Sequence, residues 1–193
     1  MKYDIVLCGV GGQGVLSLAA AIARAALAAG LDVRQSEVHG MSQRGGAVTA
    51  HLRMASDGGK SDLIPRGGAD MLLSMEPLES LRYLDYLQPE GVVISSSEPF
   101  VNIKDYPPME KVLASIRALP RAEVVDAMAM ARNAGNSKAV NMVLVGAASR
   151  HLPLDSAIIE TAIKDSFSAK GQKIVDMNLA AYKAGRGTDK TDI

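Results

Sequence analysis

Tyr3-Asp4-Ile5-Val6-Leu7-Cys8 runs directly into Gly9-Val10-Gly11-Gly12-Gln13-Gly14, and an alanine-rich stretch from Val15 to Ala29 follows without a break. The first segment reads as a buried strand, the glycines as a tight turn and the third segment as a helix. Val15, Leu18, Ile22 and Ala26 recur there at helical spacing, and Arg24 is the single charge. Such a helix is covered on most sides and packs closely against a sheet through its alanines. Strand, glycine loop and helix in that order form a site for a phosphate-bearing ligand. Backbone N–H groups and the helix N-terminus present partial positive charge, and glycines admit an anion close to the backbone.

Outward from this unit, Gly30 is a helix stop and Leu31-Asp32-Val33-Arg34 starts a second strand. The next segment, Ser36 to Gly46, is too polar and glycine-rich to continue it. From Ala47 to Met54, apolar Val48, Ala50, Leu52 and Met54 alternate with Thr49, His51 and Arg53. That spacing predicts a half-buried strand, closed by Asp57-Gly58-Gly59 and able to break a parallel arrangement. Further strands fit Asp70–Met75, Gly91–Ser95 and Glu123–Asp126. Pro77 opens a helix bearing Leu78, Leu81 and Leu84 or Tyr83 on one face. Ser96 to Pro108 holds three prolines and reads as an irregular excursion. Helices fit Met109–Leu119, Asn141–Leu152, Asp155–Phe167 and Gly171–Ala184. Strands alternating with helices predict an α/β fold: a single Rossmann-like domain, a mostly parallel sheet with flanking helices, and a helical C-terminal layer. The domain is expected over residues 1–185, with a polar tail over 186–193 that frays from about Gly185.

Composition narrows the function classes. The 193 residues suffice for one sizeable core. Lys plus Arg and Asp plus Glu are balanced at 21 each, which implies no bulk attraction to nucleic acid or membrane. Without Trp, the core must come from Ala, Val, Leu, Ile and ten Met. The single cysteine, Cys8, cannot form an internal disulfide or hold an iron–sulfur cluster, which needs about four thiolates. No secretory or membrane-length apolar run is present, so a cytoplasmic location is expected.

Gly9, Gly11 and Gly14 satisfy the dinucleotide-binding spacing, but Arg34 and Gln35 stand near where that site wants an acid, and Glu37 lies slightly beyond. Three readings stay open: a dinucleotide, glycines that serve only turn and packing, and another phosphorylated ligand. In the second glycine-rich segment Arg44, beside Gly45 and Gly46, is suited to clamp a phosphate, with Ser42 beside it. His39 is the titratable candidate for proton transfer, against a plain hydrogen-bonding role in the loop. Cys8 reads as a small buried hydrophobe, Glu76 and Glu79 as surface or capping charges, and the three histidines lack metal-ligand spacing.

The glycine loop, followed one helix and one strand later by Ser36-Glu37-Val38-His39-Gly40-Met41-Ser42-Gln43-Arg44-Gly45-Gly46, resembles the gamma-type domain of 2-oxoacid:ferredoxin oxidoreductases. Leu63-Ile64-Pro65, Ala69 to Glu79, Pro89 to Ile94, Asn141 to Gly146 and Lys170 to Gly185 fit the same pattern in order. The Ser36–Gly46 string is similar to the indolepyruvate-oxidising branch in particular. The resemblance implies a non-autonomous subunit. A large partner would carry thiamine diphosphate and iron–sulfur clusters, and the complex would oxidatively decarboxylate an aryl pyruvate to an acyl-CoA and reduce ferredoxin. No cofactor is expected to be tightly held by this chain itself. Coenzyme A is the candidate ligand, at a site formed by Gly9, Gly11, Gly12, Gln13, Gly14, Ser42, Arg44, Gly45 and Gly46. An apolar docking patch is expected around Met41, Met75 and Phe100, facing the large subunit, or a second copy of the chain when the partner is absent.

Overall fold

The computed structural model describes residues 1–39, 45–58 and 61–187. β1 (Lys2–Val10) is the centre of the sheet because Ile5 to Cys8 are apolar on both faces and fully buried. β2 (Asp32–His39) and β3 (Ala47–Ala55) form an antiparallel hairpin, and β3 then pairs antiparallel with β1, placing Cys8 opposite Thr49. β4 (Ala69–Ser74), β5 (Leu87–Ser96) and β6 (Ala122–Val125) extend the sheet in parallel on the other side of β1. The order is β2-β3-β1-β4-β5-β6, so the break in parallelism falls on β3, as its alternation suggested.

Helices cover both faces. α1 (Val15–Ala28), α4 (Ala127–Asn133), α5 (Val140–Ser149), α6 (Ser156–Phe167) and α7 (Gln172–Arg186) bury the larger core against Ile5, Leu7, Leu52 and Leu73. On the opposite face α2 (Pro77–Arg82) and α3 (Met109–Arg117) cover Val6, Cys8, Leu72 and Val93. α5 and α7 cross at two glycines. A Cβ on Gly185 would stand 1.9 Å from the Val143 carbonyl oxygen, and one on Gly146 would stand 2.0 Å from that of Tyr182.

Several sequence expectations change. Ser36 to His39 do not leave the second strand: they continue β2, with His39 opposite Val48. β2 is the sheet edge, where ladder hydrogen bonds hold a strand whose exposed side chains need no apolar alternation. β3 is buried on both faces rather than half-buried, since Thr49 and His51 are covered as well as Ala50, Leu52 and Met54. Helices cover one face of β3, and on the other the 61–64 segment and Tyr86 close over His51, so its polar residues keep no solvent face. β5 starts at Leu87, four residues before Gly91, and α5 ends at Ser149 rather than Leu152. Gly185 is no frayed position: α7 continues to Arg186 and buries it against α5. Among the described residues, no helix is long and apolar enough to cross a membrane.

α1 leaves β1 toward one face and α2 leaves β4 toward the other. The crevice outside the carboxyl ends of β1 and β4 is therefore the topological switch point, the usual ligand position in open α/β sheets.

Candidate functional site

The glycine loop sits at this switch point. Gly9 lies in the buried carboxyl end of β1 under α1, where a Cβ would stand 2.8 Å from Val15 Cγ2 and 3.2 Å from Met75 Cβ. Its role is close packing of helix on strand. Gly12 and Gly14 take the left-handed conformation, with φ of 101° and 97°, and among the described residues no heavy atom lies within 4 Å of where a Cβ would be. Those two positions are open to an approaching ligand. Gln13 is the brace of the loop: its Oε1 accepts from the Val10 N–H at 2.7 Å, and its Nε2 donates to the Met75 carbonyl at 3.2 Å. α1 begins without a side-chain cap and without an acid in its first turn, so its own sequence supplies no negative charge to its positive end.

The two glycine segments converge. Gly11 N–H donates to the Gly46 carbonyl at 2.8 Å and Gly45 N–H donates to the Gly11 carbonyl at 3.1 Å. β3 runs antiparallel, so its first residues lie at the same edge as the last residues of β1. This pairing spends the Gly11 N–H on the protein itself, and the anion-binding capacity of the loop shifts toward Gly12, Gly14 and the first turn of α1. Met41, Ser42 and Arg44 lie outside the described residues, as does the side chain of His39. Met75 is not a surface residue: it is buried in the α1-side core. Phe100 is exposed, as expected of the docking patch.

On the α2 side the same edge carries a buried polar cluster that the sequence did not disclose. Thr49, Cys8, Ser74 and Ser95 occupy one row across β3, β1, β4 and β5. Glu76 caps α2, accepting from the Glu79 N–H at 2.8 Å on Oε2. Its Oε1 accepts from the Phe100 N–H at 3.3 Å and from the Tyr106 hydroxyl. The capping role matches the sequence reading, but neither acid is on the surface: Glu76 is 1% exposed and Glu79 3%. Glu79 Oε1 meets Arg82 Nε at 3.3 Å, while Oε2 is buried with no hydrogen-bond partner among the described residues. Burial pushes the Glu79 carboxyl above the usual range against the opposing pull of Arg82, and Glu76 pushes it further. The signal for Glu76 was Pro77 behind it. Nothing local signalled the depth of either acid, because the residues that cover them come from segments far along the chain.

The thiol of Cys8 is fully buried, and burial drives its pKa to about 12 despite a hydrogen bond with Ser74. It is a core residue and offers no thiolate. His51 Nδ1 accepts from the Ile64 N–H at 2.9 Å, which fixes the proton on Nε2 and makes His51 a structural pin for the 61–64 segment. Among the described residues, no three His, Cys, Asp or Glu side chains gather to hold a metal ion. The dinucleotide reading fails on topology. β2, which would have to present the ribose-binding acid beside β1, is separated from it by β3. A cavity of about 320 Å³ lined by Lys2, Asp4, Arg34 and Arg53 lies at the opposite, amino edge of the sheet. There Asp4 is already saturated by Arg53 and Lys2.

Comparison with known proteins gives this geometry a lineage. The chain is 38% identical to indolepyruvate oxidoreductase subunit IorB of Archaeoglobus fulgidus, over 96% of this chain and 94% of that protein. Its fold matches pyruvate oxidoreductase subunit PORC of Thermotoga maritima, with a TM-score of 0.72, 22% identity and coverage of 95% and 94%. It also matches 2-oxoglutarate:ferredoxin oxidoreductase of Magnetococcus marinus, solved with 2-oxoglutarate, coenzyme A and succinyl-CoA, at a TM-score of 0.75 and 21% identity. There it covers 96% of this chain but only 30% of the other. The family model for pyruvate ferredoxin/flavodoxin oxidoreductase matches residues 4–188, and the chain belongs to that family.

Proposed function

We propose that this chain is the small, beta-type subunit of an indolepyruvate-class 2-oxoacid:ferredoxin oxidoreductase. The observation that carries the reading is similarity at 38% identity to an indolepyruvate oxidoreductase small subunit over nearly the full length of both chains. The complex would convert an aryl pyruvate and coenzyme A to carbon dioxide and an acyl-CoA, with the electrons passing to ferredoxin. Thiamine diphosphate and the iron–sulfur clusters would reside on a larger partner in the cytoplasm. The residues of this chain support that division, since its single cysteine is a buried, protonated core thiol. Bound thiamine diphosphate supplies the carbanion chemistry that releases carbon dioxide.

This chain's own part is to bind and orient. The uncapped start of α1, with the open Gly12 and Gly14 beside it, suits an anionic group, and Arg44 is the side chain proposed to close on it. That anion is a phosphate of coenzyme A or a carboxylate offered by the partner. A stand-alone nucleotide-binding module is the less favoured reading, because β3 interrupts the dinucleotide arrangement and the Gly11 N–H is already committed to Gly46. The test is steady-state kinetics of the reconstituted complex at varied coenzyme A. Arg44→Ala should weaken the apparent coenzyme A affinity by the equivalent of about 1.5–3 kcal/mol, and Arg44→Lys should recover only part of it. Unchanged KM and kcat in Arg44→Ala would remove the anion site and leave the loops a docking or structural role.

A further inference from the structure

The segment between β5 and α3, residues 97–108, crosses the carboxyl edge of the sheet as a strap. It starts at the end of β5, and Asn102 Nδ2 donates to the Gly45 carbonyl at 2.8 Å, beside the start of β3. In the order β3-β1-β4-β5 that span passes over β4 and β1, the two strands that flank the switch point. Its second anchor is the buried Glu76 carboxylate, held by the Phe100 N–H and the Tyr106 hydroxyl.

The strap is anchored through the Asn102 amide, the Phe100 N–H and the Tyr106 hydroxyl, while Phe100, Val101 and Ile103 stand at 40%, 66% and 38% exposure beside exposed Glu98, Lys104 and Asp105. Of the eight large hydrophobic residues exposed among the described residues, five lie at this one edge: these three, Leu16 in the first turn of α1 and Val38 near the end of β2. Met1, Leu27 and Leu63 are the others. Apolar side chains held outward by polar pins mark a surface that another protein covers.

We infer that the strap crest Phe100-Val101-Ile103 is the docking element of this chain for the larger, thiamine diphosphate- and iron–sulfur-bearing subunit. The inference rests on the proposed function. Two observations favour that occupant over a second copy. In the Magnetococcus marinus enzyme the same fold is 30% of a longer chain, so this architecture there is joined to a larger body of protein. The strap also lies over the switch-point crevice and its glycine loops, so a partner seated on it meets the ligand edge and can complete a shared site. A copy of this chain would bring only a second set of the same loops.

The test is co-purification of the full chain with its tagged larger subunit, combined with titration of the two purified proteins. Val101→Asp and Ile103→Asp should each weaken assembly at least tenfold while leaving the melting temperature of the isolated chain within a few degrees. Leu27→Asp, at an exposed site away from this edge, should assemble like wild type. Hydrogen exchange read on wild type should show residues 97–108 protected when the larger subunit is added, a readout that stands even where an Asp variant folds poorly. Wild type that does not bind the larger subunit overturns the functional reading itself. Wild-type assembly with equal binding by both Asp variants and no protection of the strap overturns this inference alone. Loss of self-association in the Asp variants, with assembly intact, reassigns the strap to a second copy and overturns the named partner.

Discussion

Glu79 is the residue whose placement is least comfortable. One carboxylate oxygen is buried without a hydrogen-bond partner among the described residues, and the ion pair with Arg82 is made by the other. Its raised pKa fixes the sign of a pH effect. A carboxyl whose folded pKa lies above its unfolded value, about 4.3, stabilises the fold most fully below that value, and the contribution is lost as pH rises through the folded pKa. Glu79→Gln removes the titration. Thermal melts should therefore show the variant gaining on wild type as pH rises from 4 toward neutrality, by about 2–4 °C if about 1 kcal/mol is relieved. A variant less stable than wild type at every pH would show that the charge has a partner the fold requires. Neither acid's depth was legible beforehand. Glu76 could be read as a cap from Pro77, but its second set of donors comes from Phe100 and Tyr106, more than twenty residues away. Local patterns carry no information of that range.

Among the elements, the strand–loop–helix at the start was legible because its glycines and alanines leave little alternative. β2 was read too short because an edge strand needs no alternation, and β3 was read as half-exposed because its second cover comes from the loop after it and from Tyr86, outside the strand's own pattern. That cover is pinned by the bond from the Ile64 N–H to His51 Nδ1. Burial and the neighbouring Arg53 hold the His51 pKa below its ordinary value. Stability from this pin is present above the unfolded histidine pKa, about 6.5, and is lost as pH falls through the folded pKa. His51→Asn should flatten that acid limb in melts between pH 7 and 5, and an unchanged limb would assign it to other groups. The α5–α7 crossing has a sharper dependence. Gly185→Ala would drive a Cβ to 1.9 Å from a backbone oxygen that has no flexible side chain to yield. The cost should reach or exceed the upper end of the overpacking range, about 3 kcal/mol, seen as a fall of about 5–10 °C in Tm. A melt within one degree of wild type would mean the two helices separate without penalty.

Across the whole molecule, the α/β class followed from the order of strands and helices along the chain, while the grouping of the two glycine segments into one candidate site came from the family resemblance. The strand order did not, because inserting β3 between β1 and β2 depends on the hairpin folding back toward the centre of the sheet. That insertion closes the dinucleotide reading and ties Gly11 to Gly46, and it leaves an edge with open glycines, an uncapped helix and an apolar strap. The chain is therefore one part of a composite enzyme. The most direct test is turnover of indolepyruvate, with coenzyme A and ferredoxin, by the isolated chain, the isolated larger subunit and the two reconstituted together. Ferredoxin reduction should depend on both proteins and be absent from this chain alone. Turnover by this chain alone, or full activity of the larger subunit without it, would contradict the account.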